Sequence, residues 1–225
     1  MGFSSEWEQR YAENTHLSIW PWSDLVSLVH RHCKPLLARG KGRVLELGCG
    51  AGANIPLFRS LGLDYFAIDG SPTIVGQLQQ RYPDLAPQIA VGDFTLSQPF
   101  DGSFDVVIDR ASLTSNCASS IVNGLKLARE ALTPGGVFIG SDWYSKNHTD
   151  FLGGHPCDDE YTRTGFLAGQ FVGTGKVHFS DEQHLRNLFG QFEIVFLEEK
   201  LSRRYQPNDQ HQFASWNIVA RKPND

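Results

Sequence analysis

The chemistry in this chain concentrates in one short stretch, Val44-Leu45-Glu46-Leu47-Gly48-Cys49-Gly50-Ala51-Gly52. An apolar run ends in alternating glycines, and a glycine loop between a strand and a helix lets backbone approach a ligand because no Cβ intervenes. Glu46 puts a carboxylate near the strand's end, where it would balance a cationic amino-acid group, directly or through water, and repel a pyrophosphate. Asp69 closes the next apolar run and lies at a spacing suited to holding a ribose. Gly92-Asp93-Phe94 offers an acceptor for an adenine amino group and an apolar ring wall, and Asp109 ends a further run at the same sheet edge. Gly48-x-Gly50-x-x-Ala53 also satisfies the loose dinucleotide fingerprint, so the glycines alone leave two ligand classes open.

The elements that must position these residues alternate along the chain. Arg43 to Leu47 and Asp64 to Asp69 read as strands. Ser71 then caps a helix with Pro72 in its first turn, running to about Arg81, where Pro83 stops it. Gln88 to Val91 and Phe104 to Asp109 read as strands, and the latter is apolar through its middle as a strand buried on both faces should be. Ser119 to Leu132 carries apolar residues at helical spacing. Thr133-Pro134-Gly135-Gly136 ends that helix, and a strand follows over Val137 to Ser141. Such alternation predicts βαβ units and a parallel sheet. Residues 143–178 show no clear period. A helix start at Ser180-Asp181-Glu182 precedes strands at about Glu193 to Lys200 and Phe213 to Arg221. The gap between those strands is too short for a crossover helix, so they should pair as an antiparallel hairpin. Residues 4–40 read as helical segments.

With these motifs in order, residues 43–142 resemble the S-adenosylmethionine-binding core of class I methyltransferases. Val44 to Gly52 is similar to the E-x-G-x-G-x-G motif, Ile68-Asp69-Gly70-Ser71 to the acidic ribose contact, and Gly92-Asp93-Phe94 to the adenine contact. Phe104 to Asp109 and Leu132 to Gly136 resemble two later motifs. The resemblance implies an α/β, Rossmann-like, doubly wound and mostly parallel seven-stranded sheet, with a C-terminal antiparallel hairpin and helices on both faces. It implies S-adenosylmethionine as cofactor, S-adenosylhomocysteine as product, and cofactor contacts from Glu46, Gly48, Cys49, Gly50, Asp69, Gly70, Ser71, Asp93, Phe94 and Asp109. Two departures stand out: Ile74 and Val75 replace a frequent Met or Leu, and Asp109-Arg110-Ala111-Ser112-Leu113-Thr114 replaces a frequent Asp-x-x-x-x-His. The second bears on the acceptor, not on the cofactor.

The organisation expected is one methyltransferase domain over 1–225: a helical cap (1–40), the cofactor core (41–142), a substrate-side insertion (143–179), and a C-terminal helix and hairpin (180–225). Methyl transfer from a sulfonium is catalysed largely by holding donor and acceptor at near-attack distance. A general base helps only an alcohol, phenol or protonated amine. His155 and His178 are the candidate bases, since histidine titrates near neutrality. Acceptor-wall candidates are Tyr11, Trp20 and Trp22 before the core, Arg110 after the fourth strand, and Asp142 and Tyr144 after the fifth. His155-Pro156-Cys157-Asp158-Asp159-Glu160 contains ligand-type side chains but crowds them into one turn, so no metal site is expected.

The acceptor expected is a small molecule with a hydroxyl or amine. Formal net charge is −5, which disfavours backbone-driven nucleic-acid binding. Cys33, Cys49, Cys117 and Cys157 contain no C-x-x-C pair and read as free thiols. No basic stretch followed by an apolar run opens the chain, and no apolar run approaches a membrane span. These features predict a cytoplasmic protein, monomeric or homodimeric. An NAD-linked oxidoreductase would want a Tyr-x-x-x-Lys pair, but Tyr144 is followed at that spacing by His148 and Tyr161 by Gly165. A non-catalytic nucleoside-binding or interaction module is the other reading. Loss of the cofactor loop would mark it, whereas Glu46, Gly48, Gly50, Asp69 and Asp93 are all present.

Overall fold

The computed structural model describes residues 5–15, 17–208 and 210–224. Most of the opening stretch read above for a leader, Met1 to Ser4, lies outside them. The described residues begin with three helices, α1 (Ser5–Ala12), α2 (Ser23–His32) and α3 (Lys34–Arg39). Strand and helix then alternate: β1 (Arg43–Leu47), α4 (Ile55–Ser60), β2 (Asp64–Asp69), α5 (Pro72–Arg81), β3 (Ile89–Val91), β4 (Phe104–Arg110), α6 (Ala118–Ala131) and β5 (Leu132–Tyr144). Three short strands follow, β6 (His155–Cys157), β7 (Asp159–Thr164) and β8 (Val177–His178). The described chain ends with α7 (Glu182–Leu188), β9 (Glu193–Arg203) and β10 (Gln212–Arg221).

Seven strands form one sheet in the order β3-β2-β1-β4-β5-β10-β9. Its first five strands run parallel, and β10 lies antiparallel between β5 and β9. The period-2 alternation of side chains sorts the core into two layers. Val44, Val106 and Ile108 face helices α2 to α5, packing with Leu25, Phe58, Ile74 and Leu78. Leu45, Leu47 and Val107 face α6 and α7, packing with Leu125, Phe138, Trp143, Leu185 and Phe189. Helices therefore cover both faces. Ser71 caps α5 as its sequence predicts, its hydroxyl accepting from the Ile74 amide at 3.1 Å. The two final strands form the expected hairpin. All four cysteines are free, and no helix among the described residues is long and apolar enough to cross a membrane.

Two segments differ from the sequence reading. Thr133-Pro134-Gly135-Gly136 is not a turn before β5 but an irregular stretch within it. Leu132 already pairs with Phe104, and regular register resumes at Val137 opposite Val106. Gly135, at φ +72°, donates to the Lys222 carbonyl, and Lys222 donates back to Gly136, so contacts remote in sequence hold this stretch in the sheet.

Residues 143–178, aperiodic by sequence, contain a second sheet ordered β6-β7-β8. Two of its strands, of three and two residues, are too short to show a period, and a separate apolar core of Phe166, Phe171, Val177 and Phe179 stabilises them. Asp159 ties this sheet to the main body by accepting from the Ala118 amide, 2.7 Å away at the start of α6.

Candidate active site

The C-terminal ends of β1, β2, β3 and β4 open onto one cavity of about 420 Å³. Ligands of open α/β sheets bind at that edge, where strand order reverses. The glycine loop forms the floor. Gly48 and Gly50 have φ of +68° and +48°. A Cβ at Gly48 would lie 2.3 Å from the Ser112 Cβ, and one at Gly50 would lie 2.9 Å from the Tyr11 hydroxyl.

Asp69, at the end of β2, accepts from the Gly50 amide at 2.8 Å and the Ser71 amide at 3.0 Å, which fixes its carboxylate at the cavity wall. Burial pushes its pKa up to about 6. Asp93 uses one oxygen to accept from the Thr95 amide at 2.9 Å and the Thr95 hydroxyl at 2.6 Å. Its second oxygen is buried without a partner. Phe94 stands beside it in the lining.

Glu46 is buried in β1, accepting from the Tyr65 hydroxyl and, at 2.8 Å, from the Asn54 side-chain amide. Asn54 lines the same wall, and its own carbonyl oxygen is buried and unpartnered. Sequence reading missed Asn54, although its place two residues beyond Gly52 was a usable signal. Burial pushes Glu46 up to about 7, against the lowering effect of its two hydrogen bonds. Wild-type stability from this group is fully present below its ordinary pKa and is lost as pH rises through about 7. Replacing Glu46 by Gln, with Asn54 turning its amide to match, removes that loss. Relative to wild type, Glu46→Gln should gain on the order of 3 kcal/mol between about pH 4 and about pH 8. Urea denaturation across that range measures the difference, and a pH-independent offset would place the titration elsewhere.

Helix α1 closes the cavity from above. Glu8 accepts from the Ser71 and Thr73 hydroxyls at the start of α5, bonds that hold its carboxyl below its ordinary pKa. Arg10 donates to the Gly173 carbonyl at 3.1 Å in the insertion. The cap is thereby fastened on both sides, with Trp7 and Tyr11 facing inward.

Of the predicted cofactor contacts, Glu46, Gly48, Cys49, Gly50, Asp69, Asp93 and Phe94 line the cavity. Gly70 and Ser71 do not, Ser71 being occupied as helix cap. Asp109 is also displaced from the expected role. It is fully buried, accepting from the Leu113 amide at 2.9 Å, the Trp143 indole at 2.6 Å and the Ser112 hydroxyl, so it braces the wall instead of lining it.

Of the predicted acceptor-wall residues, Tyr11, Trp22, Arg110 and Tyr144 line the cavity. Trp20 is 69% exposed and stands outside the lining, and Asp142 sits behind Arg110, 3.2 Å from its Nε. Neither candidate base reaches the cavity. His155 is exposed on β6, while His178 is fully buried between the Thr162 hydroxyl at 2.9 Å and His184 at 2.9 Å. Burial pushes His178 down to about 3, so it is neutral and structural at physiological pH. No described histidine lines the cavity.

The unpartnered Asp93 oxygen, the aligned Asp69 and the unpartnered Asn54 carbonyl beside Glu46 fit the adenine, ribose and ammonium of an adenosyl amino acid in turn. Residues 44–136 match the family model described as "Methyltransferase domain". A protein-L-isoaspartate O-methyltransferase from Chlorobium phaeovibrioides is 28% identical over 93 residues, 40% of this chain and 41% of that enzyme. The chain thus spans about two-fifths of that curated relative. Among solved structures, an S-adenosylmethionine-dependent methyltransferase from Methanosarcina mazei shares the fold at TM-score 0.65 and 21% identity, covering 85% of this chain and 98% of that one. The magnesium protoporphyrin IX methyltransferase of Synechocystis, solved with bound S-adenosylmethionine, shares it at TM-score 0.54 and 18% identity, covering 88% and 79%.

Fold and cavity together define a Rossmann-like α/β domain with a ligand-sized cavity at the C-terminal edge of its parallel strands. Residues 44–136 match a methyltransferase-domain model, and the chain shares its fold with S-adenosylmethionine-dependent methyltransferases.

Proposed function

We propose that the chain transfers a methyl group to a hydroxyl or amine of a small molecule, with proximity as the main source of catalysis. The observation that supports this most is the origin of the cavity's lining. Glu46, Asp69 and Asp93 come from β1 to the end of β3, whereas Arg110, Tyr144 and Trp22 come from the ends of β4 and β5 and the start of α2. When bound, S-adenosylmethionine supplies an electrophilic methyl carbon with a thioether as leaving group. The chain's residues bind and orient: Asp93 and Phe94 hold the base, Asp69 the ribose, Glu46 and Asn54 the amino-acid end. Trp7 and Tyr11 exclude water from above. A small cavity roofed by a fastened helix suits a metabolite better than a polymer.

Thermal unfolding with S-adenosylmethionine, S-adenosylhomocysteine and NAD added separately tests this reading. A ligand at about 100 times its dissociation constant stabilises by about 2.7 kcal/mol. The expected result is a rise with the first two and none with NAD. Stabilisation by NAD alone would overturn the reading, and a screen of hydroxyl and amine acceptors follows a positive result.

A further inference from the structure

The acceptor end of the cavity contains one group built to hold an anion. Arg110 is the sole cationic side chain among the described residues lining the cavity. Its guanidinium carbon sits 3.9 Å from the centre of the Trp22 ring, and its Nε lies 3.2 Å from an Asp142 oxygen without the alignment of a hydrogen bond. These two contacts fix the plane of the guanidinium. Its two terminal nitrogens have no hydrogen-bond partner among the described residues. Tyr144 lines the same cavity, and its hydroxyl likewise has no hydrogen-bond partner among the described residues. Burial pushes Tyr144 up to about 12, so its hydroxyl keeps its proton and remains a donor. The backbone is also committed here, with Ala111 and Asp142 both at φ +56° on either side of the arginine. Non-glycine residues rarely adopt that region, and such strain collects at ligand sites.

A rigid guanidinium fork with free terminal nitrogens matches a carboxylate in bidentate geometry, and a neutral phenol beside it supplies a further donor. We propose that the methyl acceptor is a small carboxylic acid whose carboxylate is held by Arg110 and Tyr144. The carboxylate is a handle and not the methylated atom, because lone pairs engaged by a guanidinium are poorer nucleophiles. A hydroxyl or neutral amine elsewhere on the molecule bonds the methyl carbon as the sulfur–methyl bond breaks, S-adenosylhomocysteine leaves as the thioether, and the acceptor's proton passes to solvent. Topology favours the acceptor over the cofactor's own carboxylate as the occupant. The adenosyl contacts lie on β1, β2 and β3, whereas Arg110 and Tyr144 lie at the ends of β4 and β5, on the other side of β1. The inference rests on the proposed transfer reaction.

The test uses the full chain saturated with S-adenosylhomocysteine, with benzoate as probe and benzamide as its neutral control, both titrated by ligand-observed NMR. Benzoate should bind and benzamide should not. Arg110→Met should weaken benzoate by about tenfold or more, Arg110→Lys and Tyr144→Phe less, while S-adenosylhomocysteine affinity stays within about twofold. Equal binding of the two probes, or no binding of either, overturns the proposal. So does an Arg110→Met variant that weakens S-adenosylhomocysteine but leaves methylthioadenosine, which lacks the carboxylate, unchanged: Arg110 would then hold the cofactor's tail. Should Arg110→Met fail to fold, Arg110→Lys and Tyr144→Phe give the same discrimination. Failure of wild type to bind S-adenosylhomocysteine at all strikes the transfer reaction itself, a separate outcome from failure of the carboxylate site.

Discussion

Gly50→Val is expected to abolish measurable binding of S-adenosylhomocysteine, a loss of at least about 100-fold in calorimetry. Two independent costs act at this position. The backbone sits at φ +48°, where a β-branched residue is strained by roughly 1–2 kcal/mol. A Cβ would also stand 2.9 Å from the Tyr11 hydroxyl, before the valine methyls are added. Relief requires the loop to move, and the Gly50 amide that donates to Asp69 at 2.8 Å moves with it. Asp69 then loses the donor that aligns its carboxylate at the wall. Tyr11 cannot yield freely, because α1 is held by Glu8 at one side and Arg10 at the other. Unchanged affinity in a folded variant would show that this loop does not touch the cofactor.

Asp109→Ala should have the largest effect on stability, lowering it by about 3–5 kcal/mol in urea denaturation. The carboxylate satisfies the Leu113 amide, the Trp143 indole and the Ser112 hydroxyl, all in a fully buried setting. Alanine strands the Leu113 amide and the Trp143 indole, leaves the Ser112 hydroxyl its Leu47 carbonyl, and opens a void beside Trp143, one of the largest buried side chains. Burial pushes Asp109 up to about 6, so removing the charge returns part of the cost of the two orphaned groups and the void. Asp109→Asn should recover only part of the loss, since its amide nitrogen must face either the indole or the Leu113 amide. Domains of this size are stable by about 5–15 kcal/mol, so the alanine variant approaches the limit of folding. A wild-type unfolding midpoint would remove Asp109 from its structural role.

Much of the core was legible because its determinants are local. Ser71-Pro72 marks a helix start by capping chemistry, and Ser71 accepts from Ile74 as expected. The apolar runs of β1, β2 and β4 have no exposed polar face because helices cover both sides of the sheet. The acids Glu46, Asp69 and Asp93 reach the cavity because each follows from its place at a strand's end, and strand ends share one edge in a parallel sheet. Asp109 has the same placement in sequence, yet it turns inward. Nothing local announces that the Trp143 indole, from the next strand, waits for it.

His178 illustrates the opposite limit. Residue type made it a candidate base, but the proton chemistry of a histidine depends on what surrounds it. Burial and the neighbouring His184 hold it neutral, away from the cavity. The small sheet over residues 155–178 was hidden for a related reason. Its stability comes from Phe166, Phe171 and Phe179 meeting across turns, not from a period along any strand.

By itself, then, the sequence determined the alternating core, the glycine loop and the acids that line the cavity. Spacing along a strand or helix decides those, and the spacing is a property of the backbone. The rest of the cavity wall was decided only in three dimensions. Tyr11 comes from α1, Trp22 from the start of α2, Arg110 from the end of β4 and Tyr144 from the end of β5. Their meeting depends on how a cap helix and an insertion pack over the sheet, which is set by the sum of many weak contacts instead of any local pattern. That packing also separates Trp22 from Trp20, two residues apart in sequence, placing one against Arg110 and the other in solvent.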